Sequence, residues 1–188
     1  MFNQETLIGR VVFGGGFLFD FAKWIIFFVI LLAVVHFYIG TIYFVDGASM
    51  DPTFATGELG VLDKISYNFN DPQRGDVVVV NYPGDPEHKR YVKRVVGMPN
   101  EKIDIVNGAV FINGKKLVEG YLPRNLQTEP EGKWKIKSDE YFLMGDNRPN
   151  SNDSRYFGPV EKRFIVGKTT WILSPRIYSV PTPTYGLK

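Results

Sequence analysis

Hydrophobic and polar positions divide the chain into two unlike regions. From Trp24 to Val45 the sequence reads WIIFFVILLAVVHFYIGTIYFV, 22 positions without a formal charge, and about 20 residues rising 1.5 Å each cross the ~30 Å core of a bilayer. The run predicts a transmembrane helix over 24–45. A buried core helix is the alternative, but such helices seldom run this long or this apolar. A cleavable signal peptide has an apolar stretch of about 7 to 15 residues before a small-residue site; this one is longer and ends in Tyr43-Phe44-Val45, which predicts an uncleaved anchor. Residues 1–23 form a cytoplasmic or interfacial segment on this reading, because Arg10, Gly14-Gly15-Gly16 and Asp20 interrupt their apolar pattern. Arg10 and Lys23 precede the helix, whereas Lys64 is the basic residue in the twenty that follow. That asymmetry favours a cytoplasmic N-terminus and a C-terminal region across the membrane.

From Asp46 onward the period is two rather than 3.6. Val77-Val78-Val79-Val80 is β-branched throughout, while Tyr91 to Val96 and Ile103 to Val106 alternate. Asn107-Gly108 and Asn113-Gly114 suit two-residue turns with positive φ, so VNGAVFINGKKL predicts strand, turn, strand, turn, strand. No segment in this region sustains a helical apolar period. The fold class expected is mainly β: one N-terminal transmembrane helix followed by an antiparallel β domain. The tail from Pro175, with Pro181 and Pro183, is expected to be loose.

Composition narrows the chemistry. The 188 residues include no cysteine, which excludes disulfides, thiol catalysis and cysteine-ligated metal centres. His36 and His88 are the two histidines, too few for a multi-histidine metal site and poorly suited to a Ser-His-Asp mechanism. A net charge of +2 gives no electrostatic case for nucleic-acid binding. No cofactor or metal is expected.

Three clusters could carry chemistry. Ser49, in DGASMDPT just beyond the apolar run, lies between small residues and a proline in a tight turn that leaves a hydroxyl accessible. It fits neither G-x-S-x-G nor S-x-x-K, and a turn serine without function is the plain alternative. Lys93 lies in the strand RYVKRVVG, where alternation groups Tyr91, Lys93 and Val95 on one face and Val92, Arg94 and Val96 on the other. One basic residue must therefore share a face with apolar ones. Either its stem packs while the ammonium reaches water, or it is desolvated enough to be a neutral general base. The third cluster is GDNRPNSNDSRYFG, residues 145–158. Asp146, Arg148, Asp153 and Arg155 can pair as carboxylate and guanidinium; a structural loop and a calcium site are the alternatives, with two arginines and no EF-hand glutamate against calcium.

The segments GASMDPT, RGDVVVV, YVKRVVG and GDNRPNSNDSRYFG, in that order behind one anchor, resemble bacterial signal peptidase I, a family of membrane-bound serine proteases that remove signal peptides from exported proteins. The resemblance runs from about Tyr43 to Tyr178. It implies a Ser–Lys dyad, with Ser49 as nucleophile and Lys93 as base. It also implies that Ser151 hydrogen-bonds the lysine, that Asp146, Arg148, Asp153 and Arg155 brace the site, and that Val45, Met50 and Val92 line shallow pockets for small P1 and P3 residues of A-x-A sites. The Ser49 N–H would hold the oxyanion. Gly47 stands where some relatives carry a further serine donor, and Pro149 where the family often has aspartate.

On this resemblance the signal peptidase fold places a catalytic core at 46–106 and 141–180, a short β insertion at 107–140 and a tail at 181–188. The implied partners are preprotein signal peptides and the lipid bilayer; the implied location is the bacterial plasma membrane, single-pass, with the catalytic domain extracytoplasmic. Two rivals stand beside it. Self-cleaving SOS repressors share the Ser–Lys chemistry but carry a DNA-binding domain in place of a membrane helix. A noncatalytic anchored β module would make the 145–158 loop purely structural.

Overall fold

The structure is a computed structural model that describes residues 4–82, 89–174, 177–180, 183 and 185–187, with side chains of the first helix described from Phe19 onward. His88 and Pro181 lie outside the described residues. The chain forms two units, Met1–Ile39 and Gly40–Lys188.

The first unit is helix α1 (Gln4–Val34), continued by a π-helical turn at Val35–Ile39. Its Phe19–Ile39 stretch is 21 residues, with none of its apolar window buried in protein, and at 1.5 Å per residue it measures about 31 Å. Among the described residues this is the one helix long and apolar enough to cross a membrane. Two boundaries differ from those read in the sequence. Helix begins at Gln4 and runs through the glycines of 14–16, so it starts well before Trp24, where the sequence pattern places the start of the anchor. At the other end helix stops at Ile39, and Gly40–Phe44 is strand β1. A continuous apolar run does not distinguish helix from strand, and the Gly-Thr-Ile-Tyr-Phe composition after Ile39 favours an extended backbone.

The second unit carries two antiparallel sheets. After β1 (Gly40–Phe44) come β2 (Leu59–Asp63), the one-turn helix α2 (Ser66–Phe69), β3 (Val77–Asn81), β4 (Arg90–Gly97), β5 (Lys102–Val106), β6 (Ala109–Ile112), β7 (Lys115–Val118), β8 (Gly132–Lys135) and β9 (Glu140–Met144). Then follow α3 (Ser154–Phe157), β10 (Val160–Glu161), β11 (Ile165–Ile172), β12 (Tyr178–Ser179) and β13 (Gly186–Leu187). The large sheet runs β1-β2-β11-β3-β4-β9-β10, with β12 also on β11; the small one runs β13-β7-β6-β5-β8. Register shifts in β11 and near Val95–Gly97 put bulges into the large sheet, and bulges bend and twist strands.

Both β3 and β9 are buried on both faces, which is why VVVV and EYFLM show no alternation. Asn107-Gly108 and Asn113-Gly114 take φ of 49°, 72°, 50° and 81°, the two-positive-φ geometry of a type I′ hairpin turn. Because β5 pairs with β6 through the first of these turns, the small sheet begins at Lys102 rather than at 107. A hairpin cannot be divided between two sheets at its own turn. The tail is also more ordered than proline content suggested: Tyr178 and Ser179 pair with Ile172 and Trp171, and Gly186 and Leu187 pair with Val118 and Leu117. Prolines can punctuate a segment without preventing short pairings between them.

Candidate active site

Ser49 lies in the turn that leaves β1. Gly47 has φ of +105°, a conformation that a side chain would strain. Met50 and Phe54 are essentially inaccessible to solvent and pack with Val45, Val77 and Ile172. Two apolar anchors thus hold a loop whose serine stays partly exposed. The loop is fastened further through the Ser49 carbonyl, which accepts from the Asn147 N–H at 3.1 Å, and through the Ala48 carbonyl, which accepts from Asn147 Nδ2 at 2.9 Å. The Ser49 N–H donates to no group among the described residues.

Lys93 comes from the middle of β4, opposite Val78. It is 1% exposed, and its Nζ lies 2.9 Å from Ser49 Oγ across 44 positions of sequence. Burial drives the amine below the ordinary lysine range, to about 8; the Asp153 carboxylate opposes this, Arg155 reinforces it, and Asp146 opposes it again. Desolvation disfavours the cation because nothing in the site replaces its hydration shell in full. The alternation read from the sequence places Lys93 and Arg94 on opposite faces, and both turn out to be buried among apolar neighbours.

Arg94 has the partner that makes this tolerable. Its Nε and Nη2 donate to Asp146 Oδ1 and Oδ2 at 2.9 and 2.7 Å, and Nη1 donates to the Gly75 carbonyl at 2.8 Å. Thr53 Oγ1 adds a hydrogen bond to Asp146 Oδ2 at 2.5 Å. Asp153 pairs with Arg155 through two 2.8 Å contacts, accepts from the Gly145 N–H at 2.9 Å, and caps α3 by accepting from the Arg155 N–H. Buried ion pairs persist only with this degree of hydrogen bonding. Both aspartates are turned toward guanidinium, the opposite of a calcium cage.

The loop is only partly self-contained. Arg155 and Asp153 pair within it, but Asp146 reaches to Arg94, and Arg148 reaches out of the loop to Glu119 at 2.5 and 3.0 Å, Thr128 at 2.9 Å and the Tyr121 hydroxyl at 3.1 Å. Glu119, Thr128 and Tyr121 were missed in the sequence and carry no local signal there. Arg94 did carry one, a charge within an apolar strand. Ser151 also departs from the implied arrangement. Its buried hydroxyl has no hydrogen-bond partner among the described residues and makes no bond to Lys93; it sits against Gly145, on the side also occupied by the Ser49 carbonyl.

A cleft of about 170 Å³ opens beside Ser49. Val45, Met50 and Val92 all line it, with Tyr43, Leu62 and Val79 in the wall and Asp46 and Arg90 among the polar residues. Ser49, Lys93 and these three apolar residues are therefore adjacent in space, although they come from the segment after β1 and from β4.

Comparison with known proteins gives the same direction. The family described as "Signal peptidase, peptidase S26" matches residues 18–174. A signal peptidase I of Bacillus amyloliquefaciens is 37% identical over 166 residues, 83% of this chain and 88% of that protein. Signal peptidase I S of Bacillus subtilis strain 168 is 36% identical over 167 residues, covering 83% and 89%. A signal peptidase I of Enterococcus faecalis V583, known from a crystal structure, is 30% identical with a TM-score of 0.47, over 54% of this chain and 98% of that one. The chain is a serine endopeptidase belonging to the signal peptidase family, peptidase S26.

Proposed function

We propose that this protein is a membrane-anchored endopeptidase that cleaves signal peptides from exported preproteins after small residues, with Ser49 as nucleophile and Lys93 as general base. The observation that carries the reading is the 2.9 Å contact between Lys93 Nζ and Ser49 Oγ at a lysine held to 1% exposure. A neutral amine at that distance accepts the hydroxyl proton as Ser49 Oγ bonds to the scissile carbonyl carbon. The same proton then passes to the leaving amine, and in the second half Lys93 takes a proton from the water that releases the acyl group. The Ser49 N–H, which donates to no group among the described residues, would hold the developing oxyanion. Asp146, Arg148, Asp153 and Arg155 brace the loop against which the dyad rests, and Ser151 packs its buried hydroxyl against Gly145 of that loop.

Substrate choice follows from the cleft. Walls of Val45, Met50 and Val92 around about 170 Å³ suit methyl-sized P1 and P3 side chains, and a larger group would have to displace packed residues. β1 is an edge strand, and β4 pairs with β9 from Arg94 onward, so an extended substrate can add as a strand beside the dyad. The Phe19–Ile39 helix would anchor the enzyme in the bilayer from which such substrates emerge.

The test is incubation of the purified full chain with a preprotein bearing an A-x-A site. Ser49→Ala and Lys93→Ala should each abolish cleavage while the fold is retained, and the double variant should be no less active, because members of one catalytic unit are not additive. Substantial turnover by either single variant would exclude the dyad.

A further inference from the structure

The family match ends at 174, yet the described residues beyond it, 177–180 and 185–187 among them, pair with both sheets. Tyr178 and Ser179 extend the large sheet on β11, with the Val180 N–H donating to the Thr170 carbonyl at 2.9 Å; Gly186 and Leu187 extend the small sheet on β7. Each end carries a tyrosine turned inward. The Tyr178 hydroxyl reaches the Thr53 carbonyl at 3.0 Å and Glu58 Oε2 at 3.2 Å, and Glu58 Oε2 also accepts from the Ala55 N–H at 2.9 Å. The Tyr178 ring and Val180 pack on the cluster that contains Val45 and Met50. At the other end Tyr185 packs on the core of the small sheet, its hydroxyl buried and its ring edge-on to Tyr121 at 5.8 Å. Arg94 sits 4.5 Å over that Tyr121 ring and pairs with Asp146, which in turn accepts from Thr53 Oγ1.

Both routes converge on Thr53, four residues after Ser49: one through its carbonyl, the other through its hydroxyl. We propose that residues 177–180 and 185–187 act as a two-point strap that sets the active geometry of the serine loop, with Tyr178 and Tyr185 as positioning residues acting through Thr53. This rests on the Ser49–Lys93 reading and deepens it. A loop held at two atoms of one residue resists the small displacement that would lengthen the Ser49–Lys93 contact, and misplacement of about 1 Å can cost on the order of 100-fold in rate.

The two tyrosines act through different groups, and this separates positioning from mere folding. Tyr178 works through its hydroxyl, so Tyr178→Phe should lower kcat about tenfold, the size expected for one lost orienting hydrogen bond, with KM within about twofold and melting nearly unchanged. Tyr185 works through its ring, so Tyr185→Ala should lower kcat similarly, and Tyr185→Phe should restore it. The assay is steady-state cleavage of an A-x-A preprotein by the full chain, with thermal melts of each variant. Full kcat in Tyr178→Phe overturns the strap, as does failure of Tyr185→Phe to rescue, or loss of activity only in proportion to unfolded protein. An active Ser49→Ala, run alongside, would instead sink the dyad reading itself.

Discussion

The most direct physical test concerns the proton on Lys93. A lysine with the ordinary value of 10.5 that is held at about 8 is neutral in ~9% of molecules at pH 7, against ~0.03% for the unperturbed group. That depression corresponds to ~3 kcal/mol of preference against the cation. Two consequences follow. For activity, the proposed role of Lys93 as base requires the neutral amine, so kcat/KM should rise almost tenfold per pH unit below about 7 and level off above about 8. For stability, a cationic group depressed in the folded state is a penalty that is fully present below about 8. Between about 8 and 10.5 the unfolded chain binds the extra proton, so stability should increase with pH across that window. Lys93→Met keeps the volume and removes the charge, and should stabilise the protein at pH 7 by up to ~3 kcal/mol while abolishing turnover. The assays are a pH–rate profile with a preprotein substrate and urea melts of both forms at pH 7 and 10, where the stability gap should narrow. A rate limb centred near 10.5, or a Lys93→Met protein less stable than the parent at pH 7, would refute the reasoning. A limb abolished by His88→Ala would reassign the base.

Breaking the Arg94–Asp146 pair from one side should cost ~3–5 kcal/mol, since it leaves an uncompensated buried charge, whereas Arg94→Met with Asp146→Leu should recover most of that stability without activity; a double-variant cycle by urea unfolding checks this, and losses that simply add would contradict it. For topology, protease added to spheroplasts should digest the C-terminal domain and leave the N-terminus intact, and protection of that domain would reverse the orientation drawn from Arg10 and Lys23.

Much of the architecture was determined locally. The uncharged run after Lys23 sets a helix long enough for a bilayer, because length and solvation are properties of the segment itself. Asn107-Gly108 and Asn113-Gly114 fix two hairpins, because positive φ is a local steric matter, and the period of two from Tyr91 to Val96 puts Lys93 and Arg94 on opposite faces of one strand. The family resemblance carried in GASMDPT and YVKRVVG named Ser49 and Lys93 together, but neither motif contains the distance between them.

That distance is tertiary. Ser49 and Lys93 are 44 positions apart, and the packing of Met50 and Phe54 against one face of the large sheet brings the serine loop onto β4. Whether Lys93 reaches water or loses it could not be read from alternation, since burial depends on what covers the strand. Arg148 shows the same limit: the sequence offered Asp146 and Asp153 as partners, and the fold chose Glu119, 29 positions away. The helix end at Ile39 was missed because Gly40–Phe44 continues the uncharged run, and its composition favours a strand only weakly until pairing with β2 makes it one. The tail looked loose because its prolines dominate the local pattern; its order comes from edges of β11 and β7 that other segments leave open. Charge pairs, burial and edge pairing are properties of surfaces meeting, and no single segment of the chain contains them.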